Sequence, residues 1–347
     1  MHAATVTTVT SAPGYRSVIF QFAVITGLLA LVAFVISGVV PGSSGWLQHI
    51  SVVWIAVAAL VELSACAAYA WLFHGVFSHG DYRLTPGRAT QIGVGELAGF
   101  AVTPTGAGGP ALRLWALLRG GMPLGAVMTR SVVHSVVFQV PYVVASVLLG
   151  LAAVFGVGGG HAPTLLALAP IALVIGAVLL VVGIASMSRR PGRPQSGWRK
   201  IGREIIEAIP IGVRHTPGRL RERPWLLLAA IGYWTADCGV LVLAFTAVHG
   251  SAPIAVIVLA YMLGQLGNAL PLPGGVGGVE PAMLGVLTSS GVDPALGGAA
   301  VVLYRFVSLG IQSAAGSVAI ATLIPALSRE HTQAEPAPRP RPEPATA

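Results

Sequence analysis

Charge is what this sequence has least of. Only 9% of its 347 residues are charged while 54% are hydrophobic, whereas soluble domains carry about a quarter charged residues. The deficit excludes an ordinary soluble domain and fits a polytopic membrane protein. Cysteine is nearly absent as well. Cys66 and Cys238 both fall inside apolar segments, without CxxC or metal-ligand spacing, which excludes a disulfide framework, a zinc module and a redox pair and leaves both as packing residues. No GxSxG, HExxH or P-loop is present, so no catalytic signature, cofactor or metal is expected.

What is there is long apolar runs. Six exceed the ~20 residues that cross ~30 Å of hydrocarbon: 19–40, 51–77, 124–155, 163–187, 225–248 and 296–323. The first is too long for a signal-peptide core and reads as an uncleaved anchor. The expected organisation is a cytoplasmic segment at 1–18, an all-α transmembrane domain at 19–327 and a disordered Pro-rich tail at 328–347.

Two further stretches, 89–121 and 253–291, each hold an apolar ascent, a Gly/Pro tip and a second stretch of about ten residues, which climbs only ~15 Å. Each therefore reads as a re-entrant helical hairpin. The tips are Thr103-Pro104-Thr105-Gly106-Ala107-Gly108-Gly109-Pro110 and Pro271-Leu272-Pro273-Gly274-Gly275-Val276-Gly277-Gly278-Val279-Glu280-Pro281.

Charge placement tests this arrangement. Half of the 20 Lys and Arg residues lie in 189–223, and Arg83, Arg88, Arg113 and Arg119 flank the second span and first hairpin. With the N-terminus inside and both hairpins returning to their side of entry, all of these are cytoplasmic. The outer loops 41–49, 156–162, 250–251 and 288–295 then contain no Lys or Arg, as the positive-inside rule requires. The expected location is the cell membrane, with both termini cytoplasmic.

The hairpins repeat each other. Gly95, Leu97, Pro104, Gly106, Gly108 and Gly109 match Gly264, Leu266, Pro273, Gly275, Gly277 and Gly278 at an offset of 169. After Val279-Glu280 the offset becomes 171 and pairs Pro110 with Pro281, Gly120 with Gly291 and His134 with Arg305. Three crossings separate the copies, so they enter from opposite faces. That is an inverted repeat, in which carriers place their site near the midplane. The exposed N–H groups and positive helix ends at such tips suit phosphate or carboxylate.

The segment from Pro271 to Glu280, followed by Leu303-Tyr304-Arg305, resembles the signature of the lysylphosphatidylglycerol synthase transmembrane region, a family of flippase-like membrane proteins. The Thr103–Gly109 stretch resembles its earlier motif, and the similarity covers most of the chain from the first span to about Pro325. The resemblance implies movement of a phospholipid or lipid-linked sugar between leaflets. In bifunctional relatives a separate soluble domain makes an aminoacylated lipid. Only the short Pro-rich tail follows here, so aminoacyl transfer is not expected.

Intramembrane charges supply the candidate ligands, since a charge near a span's centre costs about 2.5 to 3.5 kcal/mol on insertion scales. Arg305, with Arg113 or Arg130, is expected to hold a phosphate headgroup through the guanidinium fork. Glu280, Glu62 and Asp237 would meet a cationic or hydroxyl-bearing headgroup or bind protons, and Glu96, which with Arg113 brackets the first hairpin, is a further candidate binding residue. Internal salt bridges such as Glu280–Arg305 are an equally weighted reading. For Arg130, snorkelling to the cytoplasmic interface is preferred.

Tyr304 belongs to the motif; Gln139, Gln265 and Asn268 are candidate cavity residues, the last two because they precede the second tip. Thr103 and Thr105 are read as donors to a ligand or to tip carbonyls. His134 is read as a protonatable switch or, as lone histidines on apolar helices usually are, a packing residue. Gly95-x-x-x-Gly99 marks close helix packing.

The cytoplasmic stretch 188–224 contains an amphipathic pattern from Trp198 to Ile209, suited to anionic lipid, or serves only as a topology-setting basic loop. Nucleic-acid binding is not expected, because the charge is tied to the membrane face. The expected partners are membrane lipids with an anionic or zwitterionic headgroup, with a second copy of the chain or cell-envelope biosynthetic enzymes left open. The alternatives to a carrier are an intramembrane glycosyl or lipid transferase and a non-transporting accessory protein of envelope synthesis.

Overall fold

Lipid offers no partner for backbone N–H and C=O groups, so apolar runs of this length satisfy them internally as helices. The computed structural model describes residues 50–80, 82–103, 106–154, 176, 183 and 198–334. Its helices run α1 (Val52–Phe77), α2 (Pro86–Val102), α3 (Gly108–Arg119), α4 (Leu124–Val154), α5 (Trp198–Glu222), α6 (Trp225–Ala247), α7 (Ile254–Gly264), α8 (Val279–Ser289) and α9 (Pro294–Ala334). Short 3₁₀ turns at Gln265–Ala269 and Pro273–Gly275 separate α7 from α8, and no strand occurs among the described residues.

Among the described residues four helices are long and apolar enough to cross a membrane: Val52–Phe77, Leu124–Leu151, Trp225–Ala247 and Pro294–Ser328. They coincide with the spans expected at 51–77, 124–155, 225–248 and 296–323. The span expected at 19–40, that at 163–187 apart from Gly176 and Gly183, the segment 1–18, residues 335–347, and tip residues Pro104 and Thr105 lie outside the described residues. Helix α9 runs past the boundary expected at 327, since Ser328 to Ala334 contains neither Gly nor Pro to stop it.

The basic stretch holds a helix longer than the expected amphipathic segment. Helix α5 continues through Pro210 and Pro217 to Glu222, although each proline removes a backbone hydrogen bond. It packs along α4, so closely that a Cβ on Gly212 would lie 2.9 Å from the Thr129 carbonyl oxygen. Its own Ala208 and Thr216 are buried while Ile205, Ile211 and Val213 are exposed. Residues 198–222 are thus a docked helix rather than an open loop.

Helices α1 and α6 run antiparallel. At one end Ser51 N–H donates to the Ala247 carbonyl at 2.9 Å; at the other, Arg223 donates to the Gly75 carbonyl at 3.1 Å. This second end also gathers Arg83 and Arg88 with Gly120, Met122 and Leu327 around a surface cavity. No Lys or Arg occurs in residues 246–253 or 290–296 at the opposite end.

Arg130 belongs to the basic end in an unexpected way. Rather than reaching out to the interface, its guanidinium donates to the carbonyls of Phe77 at 2.6 Å and His79 at 2.8 Å, and lies over the Tyr82 ring, 5.1 Å from its centroid. The last carbonyls of a helix have no intrahelical donor and carry partial negative charge, which a cation satisfies. Arg130→Ala is expected to destabilise the protein by about 2 kcal/mol, within the range for hydrogen bonds to charged groups, read as a lowered melting temperature in detergent. Unchanged melting would show that water replaces the cap.

Between the spans stand two helix–turn–helix units, α2–α3 and α7–α8, whose arms pack on each other. Glycine permits the contact in both. A Cβ on Gly99 would lie 2.7 Å from the Gly109 amide nitrogen, and one on Gly278 would lie 2.7 Å from the Gly267 carbonyl oxygen. Gly95 meets Leu112 of α3 and Ile320 of α9, so the Gly95/Gly99 pair does mark close packing.

Candidate functional site

The two turns meet. Gly274, held at φ 57° in the Pro273–Gly275 turn, lies against the end of α2: a Cβ there would be 3.0 Å from the Ala101 carbonyl oxygen. Ala101 and Leu309 form a small apolar cluster with Val102 and Val276 at this junction. In the first turn, Thr103 accepts from the Gly108 amide at 2.7 Å and donates to the Gly99 carbonyl at 2.8 Å. Its hydroxyl is therefore committed to the turn.

Beside the junction opens a cavity of about 410 Å³, within the range of small-ligand sites. Its apolar and aromatic wall comes from Tyr69, Leu97, Phe100, Phe138, Tyr142, Tyr233 and Trp234, and its polar groups are Gln139, Asp237, Gln265, Asn268, Tyr304, Arg305, Ser308 and Gln312. The wall is pinned by backbone contacts. Tyr142 donates to the Met262 carbonyl and Trp234 to the Phe138 carbonyl, both at 2.7 Å.

Arg305 is on this wall, buried, and also holds the second turn. Its Nε donates to Glu280 Oε1 at 2.8 Å, and an Nη donates to the Gly274 carbonyl. Glu280 in turn accepts from the Gly277 amide at 2.7 Å, in the first turn of α8 where the helix dipole favours a carboxylate. Glu280 thus stands behind the wall, not on it. A buried charge this well paired avoids the cost of an isolated one.

A second polar cluster joins α6, α7 and α9. Asp237 accepts from Tyr261 at 2.5 Å, Tyr304 at 3.1 Å and Ser308 at 2.9 Å. Asn268 donates to Gln265 at 2.7 Å, and Gln265 to the Tyr304 hydroxyl at 3.2 Å. On the far side Gln312 donates to Glu62 Oε1 at 2.7 Å and lies 3.3 Å from Ser308 Oγ. One hydrogen-bonded chain therefore runs from exposed Asn268 to fully buried Glu62.

Three expected ligands fall elsewhere. Arg113 pairs with Glu96 at 3.1 Å and lies 3.5 Å from His134 Nδ1, inside the first helix–turn–helix unit and off the cavity wall. His134 is packed among the rings of Tyr69, Phe73, Phe77 and Phe138, which matches the packing reading. Tyr69 links this group to the cavity, lying beside Glu96 and on the cavity wall.

Ser308 and Gln312 were not singled out from sequence, although the signal was there. With Tyr304 and Arg305 they recur at intervals of three and four, one face of an otherwise apolar helix. The aromatic wall carries no such signal, because Tyr and Trp in apolar runs look like packing anywhere.

Among curated proteins no match to this chain is found. A family match does exist and spans far more than the two turns: residues 18–316 match the lysylphosphatidylglycerol synthase TM region. Together with four apolar helices of membrane-crossing length, this makes the chain a membrane protein of the lysylphosphatidylglycerol synthase transmembrane-region family, whose members handle lipid.

Proposed function

We propose that the chain is a lipid carrier with six spans and two re-entrant hairpins in an inverted repeat, moving an anionic or zwitterionic headgroup through the cavity between the tips. The observation that carries this reading is Arg305 on the wall of a largely aromatic chamber where the second turn packs against the end of α2. A guanidinium offers the planar donor set that phosphate oxygens match. A volume of about 410 Å³ accepts a headgroup and not a whole phospholipid, so the acyl chains stay in the bilayer during passage.

Opposite entry of the hairpins is supported by their feet. Gly120 lies with Arg83 and Arg88, whereas Gly250, just before the second unit, lies against Leu296 just after it. The basic end then faces the cytoplasm of the cell membrane. The headgroup would be met by Arg305, Gln265, Asn268 and Gln139, with Asp237 behind them. The chain is read as acting without catalysis.

The test is reconstitution of the full chain in proteoliposomes carrying fluorescent lipids of anionic, zwitterionic and cationic headgroup, with mass spectrometry of co-purified lipids to choose the headgroup. Transfer of at least one class between leaflets at a rate well above protein-free vesicles is expected. Chemical conversion of the lipid would instead make the chain a transferase, and absence of both activities would make it an accessory protein.

A further inference from the structure

Glu62 is the most deeply buried acid of the network, with no exposed surface, and the ligand roles proposed above leave it unused. One of its oxygens accepts from Gln312. The other, Oε2, is buried and has no hydrogen-bond donor among the described residues. Asp237 is joined to it through Gln312 and Ser308, which hydrogen-bond to each other and one to each acid, and the two carboxylates interact electrostatically. The two acids are supplied very differently: Asp237 takes three hydroxyl donors across both oxygens, while Glu62 takes one amide.

Two ionised carboxylates side by side in a dry interior repel, and an acceptor oxygen without a donor carries a full desolvation cost. One proton removes both problems. Placed on Glu62, the acid with the fewer donors, it turns the orphaned oxygen into a donor. The other side chains around Glu62 carry no formal charge: Tyr233 on α6, Cys66 on its own helix, and Tyr304 and Gln312 on α9. The nearest cation along α9, Arg305, is already paired to Glu280.

We infer that Glu62 and Asp237 form a proton-binding site that holds a single shared proton, carried on Glu62, at neutral pH. Its connection to the cavity is through Ser308 and Gln312, which each touch the acid pair and line the chamber. A headgroup that drew on either side chain would compete with the acids for its hydrogens, so proton occupancy and headgroup binding would be reciprocally linked. That linkage rests on the carrier reading; the site itself does not.

The test is infrared difference spectroscopy on the purified full-length protein in deuterated buffer, reading the carbonyl stretch of a protonated carboxyl. With only 12 acidic residues in the chain the background is low. The wild type is expected to show one such band at neutral pH, abolished in Glu62→Gln and retained in Glu96→Gln and Glu280→Gln. Absence of the band in wild type overturns the site without any variant, and so does its survival in a Glu62→Gln protein that elutes as wild type. Loss of the wild-type band when sodium chloride replaces choline chloride would assign the pair to a cation and likewise overturn it. Lipid transfer enters none of these readings, so failure of the carrier function leaves the result intact.

Discussion

Arg305→Ala is expected to abolish leaflet transfer of a fluorescent anionic lipid in proteoliposomes. The substitution removes the guanidinium from the cavity wall and leaves Glu280 buried without its partner, which for a buried pair costs about 3–5 kcal/mol. Loss of transfer could thus arise from a collapsed second turn, so companions are needed. Arg305→Lys keeps the charge but loses the fork that reaches Glu280 and Gly274 together; a drop of about tenfold in rate, worth ~1.4 kcal/mol, is expected. The double change Arg305→Met with Glu280→Gln removes both charges and is expected to fold while transferring no lipid, because replacing both partners is far less disruptive than orphaning one. Wild-type transfer by this double variant would reduce Arg305 to a clamp on the turn.

The largest effect on stability is expected where the hairpin arms touch. In Gly267→Ala the new methyl collides with the Gly278 carbonyl, and in Gly99→Ala it lies 2.9 Å or less from the Gly108 and Gly109 backbone. Backbone cannot rotate aside as a side chain would, so each change is expected to cost at the upper end of the about 1–3 kcal/mol typical of overpacking. Gly285→Ala is the control. Nothing lies within 4 Å of a Cβ there, and in a helix interior alanine is favoured over glycine by about 1 kcal/mol. Melting temperatures in detergent should therefore fall for the first two and hold or rise for the third. Equal melting for all of them would mean that the arms separate freely, and the close-packed tips would lose their basis.

Much of the site was legible at the level of residue type. A carboxylate or guanidinium deep in an apolar run must have a partner, so Glu62, Asp237, Glu280 and Arg305 stood out from composition alone, and the structure buries all of them. Their grouping was not legible. Arg113 and Arg305 look alike in sequence, yet one is closed into a pair with Glu96 beside an aromatic cage and the other reaches the cavity wall. Arg130 likewise became a helix cap, because the carbonyls it serves belong to a segment some fifty residues away in sequence.

The sequence by itself determined the helical class, the four long apolar helices among the described residues and the two glycine-bearing turns, because these follow from local rules: hydrophobic length, backbone self-sufficiency in lipid and the steric freedom of glycine. Only the tertiary structure decided that the second turn packs against the end of α2, that α5 lies docked on α4, and that Asp237 and Glu62 share a network through α9. Those outcomes depend on which helix faces pack together. That choice is made by contacts between residues as much as 250 positions apart, such as Gln312 with Glu62, which no local pattern encodes.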